Sequence, residues 1–260
     1  MSSPASPRPG LRRLFPDPEP TVDPADAYRR LSRVGPHRPA VRMNMITSAD
    51  GAASLQERTA GLGGIADTHR VRRTALVGRR DPCRRRHPAN RELRPGPPRL
   101  RGPDPPRGLG SGPVPAIAVL TRSCRLDWQA PFFTQAEQRP LVLTTDSADA
   151  SGRARAATVA DVVVAGHTSV DLPLALQDLA ERGVDNVLAE GGPRVSAQLA
   201  AAGLLDELCL TVAPLLVAGA ATRILNGPEL DHPVALELTQ ALESDGYLFL
   251  QYRRYARPTA

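Results

Sequence analysis

From residue 113 to the C-terminus, short apolar runs alternate with longer stretches whose apolar residues recur every three or four positions. PAIAVLTRS, PLVLTT and VADVVVAG are brief and nearly continuous in their apolar residues, the mark of strands buried on both faces. DLPLALQDLAERG has helical spacing and closes at Gly183, and PRVSAQLAAAGLL is a second helix with Pro193 at its start. Between them VDNVLAEGG reads as a strand and glycine turn. DELCLTVAPLL and GYLFLQYRR supply two further strands. Upstream, RPAVRMNMITSADG is strand-like from Arg38 to a turn at Asp50-Gly51. Strands separated by helices predict an α/β fold with a mostly parallel sheet and an antiparallel C-terminal edge. There is no internal repeat.

Two segments break this pattern. Residues 1–37 are rich in proline and read as a flexible or loosely docked N-terminal arm, with one short helix over 22–34. The domain proper spans 38–256 and is interrupted by residues 69–112. Of those 44 residues, nine are hydrophobic and eight are proline. The one stretch there able to pair as a strand is Thr74–Val77, so the segment is expected to be irregular. A structureless insertion of this length is unusual inside a compact domain.

Charge sharpens the contrast. The chain has a formal charge of +6 and a pI near 10.0, which alone would suggest a nucleic-acid or anionic-surface binder. Residues 69–112, however, hold 13 arginines against three acids, and the remaining residues hold 20 against 24. The basic character is local, and the rest of the chain is mildly acidic. No apolar run approaches the ~20 residues that span a bilayer, and the first residues lack the apolar core of a secretory signal. Cys83, Cys124 and Cys209 are dispersed and indicate neither disulfides nor a metal site. The expectation is a cytoplasmic protein with no membrane partner.

Candidate chemistry gathers at strand ends. In NMITSADG, Ser48 and Asp50 could bind a polar substrate or relay a proton, although Asp50-Gly51 also suits an ordinary turn. Thr121, Arg122 and Ser123 follow the strand AIAVL, where guanidinium and hydroxyls suit a phosphate; a solvated loop arginine is the plain alternative. Glu190 precedes Gly191, Gly192, Pro193 and Arg194. Glycines permit close backbone approach, and the helix that follows presents unpaired amides to a pyrophosphate. The motif falls short of a full GxGxxG fingerprint, and a tight turn is the competing reading. Glu190 could grip a hydroxyl or amine, or cap the loop. The five histidines form no dyad and receive no role.

RPAVRMNMITSADG, AGLGG at 60–64, IAVLTRSCRLD, VLAEGGPRVSAQLAAAGLLDELCLTVAPLL and DGYLFLQYRR together resemble the reductase domain of riboflavin biosynthesis. This is the bacterial deaminase-reductase C-terminal family, related in fold to dihydrofolate reductase. The resemblance covers about residues 38–68 and 113–254. It implies a three-layer, Rossmann-like fold, a homodimer, and NADPH-dependent reduction of the ribosyl group of 5-amino-6-(5-phosphoribosylamino)uracil to ribityl. It further implies that Thr121, Arg122 and Ser123 hold the adenosine 2′-phosphate, Gly191 to Arg194 the pyrophosphate, and Thr47 the cofactor. Ser48 and Glu190 would contact substrate, and Asp50 would be catalytic. The zinc signature of the partner deaminase is missing, and no metal is implied. The alternatives are reduction of another pteridine or pyrimidine, such as dihydrofolate, and a non-enzymatic role in which the arginine-rich segment binds RNA or another anionic partner.

Where the family has a core helix, a strand and a VGAGTxRxENYGP loop, this chain has the arginine-proline segment. The genetic code offers an explanation. Read one base forward with permitted codons, GRRDPCRRRH becomes DAVILVGAGT and HPANRELRPG becomes TLRTENYGP. Two compensating frame changes between about Asp67 and Gly112 would account for the segment. A chain made as written is expected to lack one core helix, one strand and part of its site, and so to fold poorly or be inactive.

Overall fold

A computed structural model of the chain describes residues 10–29, 31–32, 34–54, 62, 75–78 and 116–255. Among these, ten strands form one mixed sheet: β1 (Arg12–Phe15), β2 (Ala40–Ser48), β3 (Ala75–Gly78), β4 (Ile117–Leu120), β5 (Leu141–Thr144), β6 (Asp161–Val164), β7 (Asn186–Ala189), β8 (Glu207–Ala213), β9 (Leu236–Ser244) and β10 (Tyr247–Arg254). The order is β1-β9-β10-β8-β2-β7-β3-β4-β5-β6. From β8 to β6 every pairing is parallel, and β10 turns the sheet antiparallel against β8 and β9. This is the predicted α/β architecture.

Five helices accompany the sheet among the described residues: α1 (Pro24–Ala27), α2 (Pro131–Thr134), α3 (Ala150–Val159), α4 (Leu172–Glu181) and α5 (Pro193–Ala201). Alternation along the strands assigns the two faces. Val41, Leu120, Leu143, Val163 and Ala189 share a core with Leu176 and Leu179 of α4 and Leu199 of α5. Val142 points the other way, into a second core with Phe133 of α2 and Ala156 of α3, where Trp128 lies 5.0 Å from Phe133 between ring centroids. Three layers result.

Local chemistry explains the helix ends. Asp171 accepts from Leu174 N at 3.0 Å to cap α4, and Gly183 closes it at φ +82°, in the left-handed region that glycine enters without strain. Helix α3 escaped the pattern reading because ASGRARAATV has no apolar stripe and buries only Gly152 and Ala156. Its legible signal was the cap, where Asp149 accepts from Gly152 N at 3.0 Å. Strand β9 was also missed: LELT alternates as a strand should, but QALES breaks the alternation.

Of the two forms expected for the arm over residues 1–37, flexible or loosely docked, the described part is docked. Leu11, Val22 and Ala27 pack against Leu242 and Phe249, and β1 pairs antiparallel with β9. The Gln240 and Gln251 amides both donate to Ala27 O, at 3.1 and 3.0 Å. Arg42 donates to Arg29 O at 2.8 Å, and Leu31 N donates to the Asn186 side chain at 2.9 Å. The anticipated 22–34 helix is confined to Pro24–Ala27. Prolines shorten helices, but they do not stop an extended segment from docking through its carbonyls and a few apolar anchors.

The expected loss of a strand within 69–112 is likewise corrected. Ala75–Gly78, from the one apolar run in that window, pairs in parallel with β4 and β7. The remaining expectations for 69–112, and those for AGLGG apart from Leu62, lie outside the described residues. Among the described residues no helix is long and apolar enough to cross a membrane.

Phe249, 2% exposed, joins the docked segment to the sheet. Phe249→Ala is expected to cost about 3–5 kcal/mol, read as a lowered urea midpoint, together with faster proteolysis within residues 10–29.

Candidate functional site

The strand register places the candidate residues along one edge. Met43, Ala189, Leu76, Ala118, Leu141 and Asp161 lie in one row across β2, β7, β3, β4, β5 and β6. All six strands run the same way. Glu190 therefore emerges one residue beyond the row, Thr121 three beyond and Ser48 five beyond, all on the carboxyl side. This edge of a parallel sheet is where open α/β folds bind ligands, because the loops diverge there and helix N-termini face it.

Two of these groups are brought into contact. Gly191 has φ +101°, and a Cβ on it would lie 3.5 Å from the Met45 sulfur of β2. Ser196 of α5 donates to that same sulfur at 3.8 Å. The glycine turn is thus seated against the strand that carries Thr47 and Ser48. Helix α5 begins with Gly192 as N-cap and Pro193 in its first turn, and no side chain caps it. Its first amides are available to an anion, and Arg194 in the same turn is exposed. These features fit a pyrophosphate.

At the end of β2 the hydroxyls already have work. Thr47, buried, donates to the Ser48 and Ala52 carbonyls at 3.1 and 3.2 Å. Ser48, also buried, accepts from Ala52 N at 2.9 Å and donates to Asp50. The Asp50 carboxylate also accepts from Ala218 N at 2.7 Å and from Val217 N at 3.1 Å. Hydrogen bonds from Ser48 first, then from these amides, hold its carboxyl below the ordinary 3.8 although the residue is exposed.

At the end of β4, Thr121 is buried and its Oγ1 accepts from Cys124 N at 3.1 Å, while Ser123 Oγ accepts from Arg125 N at 3.3 Å. The two hydroxyls shape the turn that presents exposed Arg122. Thr145, at the end of β5, braces the same turn by donating to Arg122 O at 3.2 Å. Burial pushes the Cys124 and Cys209 thiols up, so neither is an activated nucleophile.

The RibD C-terminal domain profile matches residues 39–248, most of the chain. The chain belongs to this family. Among curated proteins it is 34% identical over 97 residues to a 2,5-diamino-6-ribosylamino-4(3H)-pyrimidinone 5′-phosphate reductase of Methanothermobacter thermautotrophicus, covering 36% of this chain and 45% of that protein. A reductase of the same name from Archaeoglobus fulgidus is 29% identical over 110 residues, covering 42% of this chain and 50% of the relative. The chain thus spans about half the length of the curated relatives it matches. Its fold is similar to that of a pyrimidine reductase-like protein of Corynebacterium diphtheriae, with TM-score 0.68 and 24% identity over 84% of this chain and 92% of the other. Acinetobacter baumannii RibD superposes with TM-score 0.60 and 17% identity over 84% of this chain and 58% of its own.

Family membership agrees with the resemblance seen in the motifs. Sequence reasoning nevertheless missed three contributors: Met45, which seats the glycine turn; Thr145, which braces the Arg122 turn; and the loop at 214–227. Only the loop left a signal, in its run of small residues, PLLVAGAATRILNG.

The depressed Asp50 value has a definite consequence for acid stability. A carboxylate lowered on folding contributes stability that is complete above its unfolded value and is lost as pH falls through the folded one. Urea midpoints of wild type and Asp50→Asn should therefore differ throughout the range above the ordinary 3.8, and the difference should shrink as pH falls below it and close under the lowered folded value.

Proposed function

We propose that this chain is an NADPH-dependent reductase that converts the ribosyl side chain of a ribosylaminopyrimidine 5′-phosphate to ribityl. The observation that carries this reading is the seating of the Gly191 turn on Met45, which sets an uncapped helix start beside the strand end bearing Ser48. Family membership and the names of the curated relatives support it.

In this reading NADPH supplies the hydride. Gly191, Gly192, Pro193 and Arg194 would bind its pyrophosphate through the first turn of α5, with Thr47 packed alongside. Arg122, in a turn held by the Thr121 and Ser123 hydroxyls, would pair with the 2′-phosphate. Ser48 and Glu190 would contact substrate, and Asp50 stands at the same strand end. Because the Ser48 proton is given to Asp50 and one lone pair to Ala52 N, Ser48 would meet substrate only as an acceptor, through its remaining lone pair.

For the pyrimidine there are two candidates. The resemblance in the motifs favours 5-amino-6-(5-phosphoribosylamino)uracil, and the curated relatives' names favour the 2,5-diamino-4(3H)-pyrimidinone. A homodimer and a cytoplasmic location belong to the same proposal. So does a coding-frame change over residues 69–112. The DNA decides that last part: codons that do not yield a GTxRxENYGP loop in the other frame would remove it.

The chain as written and its frame-restored counterpart should be purified and NADPH oxidation followed with both pyrimidines and with dihydrofolate. The restored chain is expected to turn over a ribosylaminopyrimidine phosphate and the written chain to be slow or inactive. Turnover of dihydrofolate alone would overturn the substrate assignment. Arg122→Ala should weaken NADPH binding by about tenfold to a hundredfold, the loss of a charge-assisted contact. NADH binding should change little, as read by cofactor fluorescence.

A further inference from the structure

The loop at 214–227 leaves β8 on the ligand-facing edge and returns along it. It is tied at intervals to the proposed site. Ala49 N donates to Leu215 O at 2.9 Å, and Ala53 N donates to Thr222 O at 2.8 Å. Ile224 and Leu225 pack with Met43 and Met45, and Asn226 N donates to Pro193 O at 2.9 Å. The loop thus reaches from the end of β2 to the first turn of α5, along both the substrate and pyrophosphate positions.

Its first half has little burial to hold it. Leu215 and Leu216 are 39% and 83% exposed. Besides the Ala49 N bond to Leu215 O, this half is held by the Asp50 carboxylate, which receives two successive amides, Val217 N and Ala218 N. Ala218 has φ +57°, a conformation that costs a residue with a Cβ and aims neighbouring amides at one anion.

We propose that Asp50 is a positioning residue, whose carboxylate clamps the 214–227 loop to the end of β2 as one wall of the site, and that it neither gives nor takes the proton of the reaction. This rests on the reductase reading above. A carboxylate that accepts from Ser48, Val217 and Ala218 is occupied by fixed donors, and its lowered titration keeps it ionised at neutral pH. Such a group is a poor acid for a hydride-transfer step. The same bonds orient the Ser48 hydroxyl. The clamp therefore sets both the wall and the orientation of Ser48 at the strand end.

Hydrogen exchange on the chain as written and steady-state kinetics on its frame-restored counterpart, each compared with Asp50→Asn and Asp50→Ala, test this together. Exchange of amides 215–222 should rise about tenfold or more in Asp50→Ala, with amides of β8 and β10 unchanged as the control for folding. With the ribosylaminopyrimidine phosphate as substrate, KM should rise about tenfold with a smaller change in kcat. The pH profile of kcat/KM should keep both its limbs. Unchanged exchange across 215–222 would overturn the clamp, and loss of one limb would make Asp50 the proton-transfer group. Absence of turnover in the frame-restored chain, with the exchange result intact, would count against the reductase reading and leave the clamp standing.

Discussion

Because β2 pairs in parallel with β7 on one side and β8 on the other, three chain segments leave the sheet together at one edge. They are the Ser48–Ala53 turn, the Glu190–Arg194 turn and the loop that starts at Pro214. The strand that imposes this register is itself well anchored. Val41 and Met43 are fully buried in separate cores, and Asp206 accepts from Val41 N at 2.7 Å while pairing with Arg38 at 2.6 and 2.9 Å. A register shift of one residue would turn both buried side chains to the opposite face. The position of the site is therefore inherited from the core rather than from the loops that form it.

The opposite end of β2 shows how the same sheet carries polar groups inside. Glu207, 3% exposed, is paired with Arg42, which also reaches the Arg29 carbonyl. Gln240 and Gln251 share the Ala27 carbonyl. An ion pair taken out of water is close to neutral for stability while whole and costly when broken. The docked segment at residues 10–29 adds a partner for Arg42 and buries Phe249, so apolar and polar parts of this face depend on each other.

At the ligand edge, most hydroxyls identified by pattern act on backbone rather than pointing outward. Thr47, Ser48, Thr121 and Ser123 all hold turns. Their contribution is pre-organisation: fixed turns present Arg122 and the amides of α5 without an ordering cost at the moment of binding. A side chain of the right type at a strand end can therefore build the site as readily as touch the ligand. The formal +6 charge says little about this edge, since it arises from residues 69–112.

The sequence by itself determined the strand-helix alternation from residue 113 onward, the β2 strand, the helix ends at Gly183 and Pro193, and the motifs that place the chain in its family. These depend on local periodicity and on backbone preferences of glycine and proline, which act over a few residues. It did not reveal α3, whose alanines and arginines lack a stripe, or the docking of residues 10–29, whose partners lie more than 200 residues away at Gln240 and Gln251. Nor could it tell whether Asp50 faces a ligand or a backbone. Asp50 and Ala218 are 168 positions apart, and only the parallel pairing of β2 with β8 brings that amide to that carboxylate. Residue type and spacing set what a group is able to do. Tertiary register decides which partner it meets, because hydrogen bonds act over about 3 Å and the chain alone does not fix distances at that scale.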